Sequence, residues 1–368
     1  MDRIAGIINL DHEQDVLEEL TYFRCGAAVP FAGRYRMIDF VLSNMTNSRI
    51  VSVALFTRRK YRSLMDHLEQ GKAWDLDRNR GGLFILPPDW NDPTDISRGD
   101  LQHFHNNLDF VKRALADYIL VTGSQHICNI DFQEVLADHK EVDADVTVIY
   151  KHVDELYPEH RLSHKLTIDQ QQRVTAIHNE TSHHNVYMDI FLVKKELICD
   201  MIEDCIAHGN EHLFLDAIKA NLSELHVHAH EYKGMHALVN SVESYYRNSA
   251  KLLDADVHDQ LFKDDAPILT KVKNEAPSKY LPDSQVSNTL VANGCVIDGR
   301  VENSILFRGV KVGEGAVIKN SIIMQRCDIE SYAVLENVIL DKDCKISENR
   351  TLIGAAEKPY VVPKRKVI

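Results

Sequence analysis

Residues 28–44 read Ala-Val-Pro-Phe-Ala-Gly-Arg-Tyr-Arg-Met-Ile-Asp-Phe-Val-Leu-Ser-Asn, and this block joins a turn to the start of a packed element. Pro30 and Gly33 mark the turn, because proline and glycine are the residues that most often interrupt regular structure. The apolar residues between Met37 and Leu42 lead from the turn into a buried element. The block is therefore typical of an α/β domain that places charged side chains beside a turn.

Four polar side chains of this block could act near the turn. Arg34 and Arg36 supply two cations, and Asp39 and Ser43 could cap or brace the turn. On residue types alone, a brace between Asp39 and an arginine inside an ordinary α/β domain is the simplest interpretation. An anionic ligand held by the two arginines is the alternative.

Strand-like and helix-like segments alternate along the first 250 residues. Such alternation predicts a Rossmann-like fold with a mostly parallel sheet wrapped by helices. Ligands of these sheets bind beyond the carboxyl ends of the strands, so segments 9–15 and 123–129 are candidates for chemistry. The strand-like runs are Ile4 to Ile8, Val51 to Phe56, Tyr118 to Thr122 and Val146 to Tyr150, and the helix-like runs are Tyr61 to Leu68 and Leu108 to Ala116.

The second half of the chain contains an internal repeat. Four similar strings begin at Asn288, Asn303, Asn320 and Asn337, spaced by 15, 17 and 17 residues, with small or aliphatic residues recurring every six positions. A hexapeptide period with roughly 18 residues per coil is the signature of a left-handed parallel β-helix. The sequence therefore predicts a second domain built from four coils.

The domain boundaries follow from composition. Prolines, aspartates and lysines are concentrated between Asp254 and Pro282, as is typical of a linker. We expect the α/β domain over residues 1–250, the linker over 251–286 and the β-helix over 287–368.

Composition excludes several classes of function. A net charge of −13 argues against a nucleic-acid partner, since phosphate backbones are bound by clustered lysine and arginine. The seven cysteines form no Cys-x-x-Cys pair, which fits free thiols in a reducing compartment. No secretory or membrane segment is recognisable, so a cytoplasmic location without membrane contact is expected. The short basic run at Lys364 to Lys366 is interpreted as solvated, with anion binding as the alternative.

The block from Ala28 to Ser48 closely resembles the one that follows the phosphate-binding loop in bacterial glucose-1-phosphate adenylyltransferases, also called ADP-glucose pyrophosphorylases. The resemblance spans nearly the whole chain, and the repeated coils are part of it. It implies a nucleotidyltransferase domain, in which a glycine-rich loop holds phosphates and carboxylates hold Mg²⁺.

Three family positions depart from this pattern. The glycine-rich loop after the first strand is replaced by residues 9–15, Asn-Leu-Asp-His-Glu-Gln-Asp, which contain neither glycine nor arginine. Gln125 stands where the family has one magnesium-binding aspartate, and Leu238 stands where it has the second carboxylate. An amide carries no negative charge and leucine carries no ligand atom, so Mg²⁺ binding by these positions is not expected.

The sugar-phosphate side of the family site is also altered. Glu180 aligns with the family's sugar-phosphate lysine, which reverses the charge, whereas Arg98 matches the family's Arg-Gly-Thr segment. These departures resemble the GlgD-type regulatory subunits of the family, which are catalytically degenerate.

The resemblance to that subunit type implies a set of partners and contacts. The implied partner is a catalytic glucose-1-phosphate adenylyltransferase subunit, which uses the Mg²⁺, in a mixed tetramer that supports glycogen synthesis, with self-association as a further option. This chain would bind no cofactor of its own. Arg34, Arg36, Asp39 and Arg98 are then candidates for effector or ligand contacts.

Four other functions stay open on the sequence. A divergent active nucleotidyltransferase could use Asp11, Asp15 or Asp100 in place of the lost ligands. The alternating imidazoles of residues 226–230, His-Val-His-Ala-His, could hold a transition metal. Anion sensing by Arg34 and Arg36 is the third. Acyl transfer on the β-helix is disfavoured, because no histidine follows His258 to act as a base.

Overall fold

The computed structural model describes residues 3–11, 13, 16–57, 59–87, 99–180 and 182–368. Arg98 and Asp15, two of the candidates named above, lie outside these residues. Among the residues that are described, no helix is both long and apolar enough to cross a membrane.

Eight α-helices occur in the described residues, and the longest of them has 13 residues. Short 3₁₀ turns at Glu18–Thr21, Gly26–Ala28, Lys72–Trp74 and Pro158–Leu162 and a π-helical stretch at Leu213–Lys219 complete the helical structure. The α-helices are α1 Met37–Asn47, α2 Arg62–Leu68, α3 Leu101–Asn106, α4 Leu108–Arg113, α5 Phe132–Glu141, α6 Lys195–Ala207, α7 Val242–Lys251 and α8 Ala255–Leu261.

The strands of the first domain are mostly short and apolar. They are β1 Ile4–Asn9, β2 Pro30–Phe31, β3 Tyr35–Arg36, β4 Ser52–Phe56, β5 Gly82–Leu86, β6 Tyr118–Thr122, β7 His126–Ile127, β8 Val146–His152, β9 Lys165–Ile168, β10 Val174–His178, β11 Asn185–Lys194, β12 Val227–Glu231 and β13 Ala237–Leu238.

Nine of these strands form one sheet, whose main path is β10-β9-β11-β6-β1-β4-β5, while β8 pairs with β11 and β12. Strands β6, β1, β4 and β5 run parallel, as the alternation of segments predicted, and β11 is antiparallel to both β6 and β8. Strand β1 is buried on both faces, which explains its continuous apolar run. Because Ile8 lies opposite Thr122, β1 and β6 end side by side.

Three parallel sheets of five strands each form the second domain, which confirms the predicted β-helix. Inward residues such as Ile297, Val312 and Ile329 stack in its core and are at most 2% exposed. The strands are β14 Lys279–Tyr280, β15 Gln285–Ser287, β16 Leu290–Val291, β17 Val296–Ile297, β18 Arg300–Glu302, β19 Ile305–Leu306, β20 Lys311–Val312, β21 Val317–Lys319, β22 Ile322–Ile323, β23 Asp328–Ile329, β24 Val334–Glu336, β25 Val338–Leu340, β26 Lys345–Ile346, β27 Thr351–Ile353 and β28 Tyr360–Val362.

The β-helix is longer than the sequence predicted. Five strands on each face replace the predicted four coils; β14 lies within the predicted linker and β15 begins in it. The sequence of the first coil shows no aliphatic repeat, because its residues in β14 and β15 are largely exposed. Helix α8 lies in the same predicted linker, where Asp254 caps it by accepting hydrogen bonds from the backbone of residues 256 and 257.

The two domains share one hydrophobic core, which we call the junction core. Phe31 and Phe40 of the opening block and Tyr245 of α7 pack in the same buried cluster as Ile305 and Phe307 of the β-helix. The Tyr245 hydroxyl donates a hydrogen bond of 2.7 Å to the carbonyl of Pro30. The quoted block therefore lies between the domains and contacts both.

Candidate functional site

The first part of the candidate site lies where β1 ends. The Asn9 amide donates to Asp100 Oδ2 at 2.7 Å, and the Leu213 backbone N–H donates to Asp100 Oδ1 at 3.0 Å. The Asn9 side chain also accepts a hydrogen bond of 3.0 Å from the backbone of Asp11. Polar groups after β1 thus bind other parts of the chain, and each oxygen of Asp100 is held by a donor.

Glu13 occupies the neighbouring end of β6. Its carboxylate accepts a hydrogen bond of 2.9 Å from the Ser124 hydroxyl and a second from the Ser124 backbone N–H. A backbone N–H at the carboxyl end of a parallel strand is a typical donor to a bound anion. In this protein the Glu13 carboxylate accepts that hydrogen bond.

Gln125 and Leu238, the two predicted positions of lost metal ligands, are adjacent. Strands β7 and β13 pair antiparallel with His126 opposite Leu238, and the Val239 N–H donates to the Gln125 carbonyl at 2.9 Å. Leu238 is buried, and only the neutral amide of Gln125 offers a ligand atom. These two side chains do not fit a Mg²⁺ ion, which requires several oxygen ligands and prefers carboxylates.

A pair of histidines beside these positions was not predicted. His126 Nδ1 and His236 Nε2 are 2.8 Å apart, and the rings are stacked with centroids 5.1 Å apart. Burial, followed by the charge of His126, lowers the pKa of His236 well below its usual value, so His236 stays neutral near pH 7. The pairing joins β7 to the segment before β13, and no spacing in the sequence indicates it.

Glu180 is not part of this group in the structure. It is exposed in the loop after β10, and β9 and β11 separate β10 from β6 in the sheet. Its side chain makes no hydrogen bond or ion pair with any described residue. Its predicted role at a sugar-phosphate position therefore stays a prediction.

In the block of residues 28–44, Asp39 and Arg36 form hydrogen bonds within the chain. Asp39 is fully buried and accepts one hydrogen bond from the Arg36 backbone N–H at 3.0 Å and another from His67 Nε2 at 2.5 Å. The Arg36 guanidinium instead donates to the Ser63 carbonyl at 2.6 Å. The predicted brace between Asp39 and an arginine is present as the hydrogen bond from the Arg36 backbone, and His67 of α2 is a second partner of Asp39 that was not predicted.

Four basic side chains from both domains meet at the junction, and we call them the junction cluster. They are Arg24 and Arg36 of the α/β domain and Lys342 and Lys364 of the β-helix, and the charges of Arg24, Arg36 and Lys364 each lower the pKa of at least one other member. Arg24 is 2% exposed and pairs with the buried Asp341, yet its Nη1 lacks a partner among the described residues. Lys364 is half-buried and belongs to this cluster, whereas its neighbours Arg365 and Lys366 are exposed, as predicted.

The junction cluster shifts the protonation of its own members. Burial, followed by the charges of Arg36 and Arg24, lowers the pKa of Lys342 to about 6. Burial also lowers the pKa of Arg36 to about 10, although the Asp39 carboxylate opposes this shift. Because burial is the largest cause of both shifts, an anion bound beside these groups would favour their charged forms.

Arg34 lies at the outer side of the same junction. It is exposed, and its guanidinium sits 5.4 Å from the centre of the Tyr35 ring. Burial, followed by the charge of Arg34, lowers the pKa of Arg308 on the β-helix. The structure therefore brings Arg34, Arg36 and Asp39 to the junction between the domains.

The other candidate sites separate in the structure. His230 Nδ1 lies 2.6 Å from Asp138 Oδ2, and His228 is buried on β12. In the part of the chain that is described, no three histidine, cysteine, aspartate or glutamate side chains are grouped so that they could hold a metal ion. Cys295, Cys327 and Cys344 are buried in the core of the β-helix.

Two family models match the chain, one in each of its two domains. Residues 16–160 match the family model of the nucleotidyl transferases, and residues 276–359 match the model of the GlmU-like C-terminal hexapeptide. The second match begins before residue 287, in agreement with the early first coil.

Curated relatives cover almost the whole chain. It is 40% identical over 363 residues to the glycogen biosynthesis protein GlgD of Bacillus subtilis (strain 168), covering 99% of this chain and 96% of the relative. The corresponding protein of Geobacillus stearothermophilus is 42% identical over 86% of this chain and 83% of its own. The glucose-1-phosphate adenylyltransferase of Geobacillus stearothermophilus is 31% identical over 82% of this chain and 80% of its own. The chain therefore belongs to the GlgD family, a branch of the nucleotidyltransferases related to glucose-1-phosphate adenylyltransferase.

Proposed function

We propose that this chain is a regulatory subunit that supports a glucose-1-phosphate adenylyltransferase in glycogen biosynthesis. The partner forms ADP-glucose from ATP and glucose 1-phosphate with its own Mg²⁺, and this chain contributes little or no catalysis. The assembly is a mixed tetramer. The names of the relatives support the pathway and the class of partner.

One observation carries the non-catalytic part of the proposal. Gln125 and Leu238 lie side by side after the carboxyl end of β6, neither side chain carries a carboxylate, and Glu13 accepts a hydrogen bond from the neighbouring Ser124 N–H. Loss of one oxyanion donor alone typically costs two to three orders of magnitude in rate, and a catalytic Mg²⁺ supplies at least as much. The isolated chain should therefore turn over at least about a thousandfold more slowly than its partner.

The test compares three samples: this chain alone, its cognate adenylyltransferase alone and the co-expressed pair. We expect negligible ADP-glucose formation from this chain, co-elution of the pair on a sizing column and a rate for the pair above that of the partner alone. Separate elution without enhancement contradicts the proposal. Magnesium-dependent turnover by the isolated chain favours the alternative of a divergent active nucleotidyltransferase.

The junction cluster favours a second function, the sensing of an anionic effector. Lys342 and Lys364 have no carboxylate bound to their ammonium groups among the described residues, and they face Arg24 and Arg36 across the domain junction. A multivalent anion would relieve the repulsion and link the two domains.

Calorimetric titration with inorganic pyrophosphate tests the sensing function. We expect Lys364→Ala and Arg36→Ala to weaken binding by about tenfold. The control Arg350→Ala changes an exposed arginine of the β-helix and should leave binding unchanged. Equal binding by all three variants refutes the assignment.

A further inference from the structure

A cavity of about 920 Å³ opens on the side of the sheet opposite the candidate site. It lies at the amino ends of β1 and β4, beside β5 and α4, and Ile4 and Ser52 are among the residues that line it. Since ligands of parallel sheets bind at the carboxyl ends, this cavity belongs to no substrate site of the fold.

Four arginines line this cavity, which we call the arginine-rimmed cavity. Arg113 is bonded to Asp109, with 2.9 Å between its Nη2 and Oδ2. The side chains of Arg3, Arg49 and Arg80 make no hydrogen bond or ion pair within the residues that the structure describes. In a chain with a net charge of −13, this is a local excess of positive charge.

The floor of the arginine-rimmed cavity is apolar and open to solvent. Phe84 on β5 is 43% exposed, Leu115 after α4 is 75% exposed and Val51 before β4 is 40% exposed. The Phe84 ring packs edge-on against Phe110 with centroids 5.5 Å apart. Single exposed apolar residues are common, but a joined patch from three segments marks an interaction surface. Arginine and aromatic residues together are also the composition enriched at protein interfaces.

We propose that the arginine-rimmed cavity docks the adenylyltransferase subunit, which inserts a protruding apolar side chain flanked by carboxylates. This inference rests on the proposed function, since it assigns the surface through which that partner binds. The carboxylates pair with the three free arginines, and the apolar side chain covers Phe84 and Leu115.

Charge selects this occupant over a second copy of the chain. Two copies that met through the same surface would bring two sets of four arginines together, which is repulsive. A small anion is a poorer match, because the rim arginines are exposed and no packing fixes their positions in advance. An acidic protein surface can satisfy several mobile arginines at once.

The experiment measures the dissociation constant of this chain for the adenylyltransferase at low and at high salt. Arg80→Glu reverses one rim charge, and Leu115→Asp places a charge on the floor at a position too exposed to affect folding. We expect each variant to raise the dissociation constant by about tenfold or more, and high salt to weaken wild-type binding. The matched control Arg161→Glu reverses an exposed arginine near β9, at the far edge of the sheet, and should bind like wild type.

The possible results separate the proposed docking surface from the proposed subunit function. Wild-type association that neither Arg80→Glu nor Leu115→Asp weakens overturns the docking surface and leaves the subunit function standing. Absence of any wild-type association overturns both. If the variants instead abolish self-association of this chain without its partner, the occupant is a second copy and the assignment to the adenylyltransferase is overturned.

Discussion

At the scale of single residues, the Glu13 carboxylate occupies the carboxyl end of β6. Glu13 accepts two hydrogen bonds from Ser124, so the donor at the end of β6 is already used when no ligand is bound. The sequence indicated only that an acid stands in this segment. Its partner is 111 residues away, and no periodicity relates the two.

Replacing Glu13 should therefore weaken the fold. Glu13→Ala leaves the Ser124 N–H and hydroxyl without their acceptor, and we expect a loss of about 1 to 2 kcal/mol in the free energy of unfolding. Denaturant titration measures the change. Glu180→Ala is the matched control, because Glu180 is exposed and unpaired within the described structure, and equal effects of the two substitutions would contradict the role of Glu13.

Lys342 should make stability depend on pH. In the folded protein its pKa is about 6, whereas a lysine of the unfolded chain keeps its proton up to about pH 10. Between these values the unfolded state binds more protons, so the free energy of unfolding should rise with pH from about 6 upward. Melting temperatures of wild type and Lys342→Met between pH 6 and 9 measure this slope, which the substitution should reduce. Lys358→Met, at an exposed position, should retain the wild-type slope.

At the scale of elements, the coils of the β-helix turn at asparagines. Asn288, Asn303, Asn320 and Asn337 all have positive φ values between 44° and 53°. Asparagine tolerates this left-handed conformation better than other residues with a side chain, and glycine tolerates it best. The repeat of asparagines in the sequence therefore reflects the backbone of one corner.

Substitutions at Asn320 should separate backbone strain from side-chain contacts. We expect Asn320→Ala to lower the free energy of unfolding by about 1 kcal/mol, because alanine disfavours a φ of 46°. Asn320→Gly should cost less than Asn320→Ala, although both remove the amide. Thermal unfolding provides the measurement, and a larger cost for glycine would show that the amide, not the backbone, is what matters there.

At the scale of the whole molecule, the junction core joins two architectures that could each have been independent. Phe31 of the α/β domain and Phe307 of the β-helix are both fully buried in it. We expect a single unfolding transition in calorimetry. Phe31→Ala should lower the free energy of unfolding by about 3 to 5 kcal/mol, and the protein should still unfold in one transition. Two transitions, of which only one moves, would show that the domains fold separately.

The sequence predicted the parts of the molecule that follow a local pattern. Apolar runs located β1, β4, β6 and β8, and the asparagine spacing located the middle coils. The first coil was missed because its residues are exposed, and α8 was missed because its segment resembled a linker. Gln125 and Leu238 were expected in one site and lie adjacent, but the neighbouring histidine pair was not predictable.

The missed contacts of the candidate site all join distant segments. His67 reaches Asp39 from the next helix, and Lys342 and Lys364 reach Arg24 and Arg36 from the other domain. Charge and hydrogen-bonding capacity were visible in each residue. Which group would meet which depended on the packing of the junction core.

The carboxylate of Glu13 also bears on how easily evolution could reverse the change of function proposed here. Gln125→Asp alone would add a negative charge one residue from the Ser124 that Glu13 already binds, and Leu238 would still offer no ligand atom. No single substitution on such a path creates a working metal site, so no intermediate gains activity on which selection could act. Under the proposed function, a return to catalysis would need replacements at Glu13, Gln125 and Leu238 together, and a division of labour between subunits would be hard to reverse.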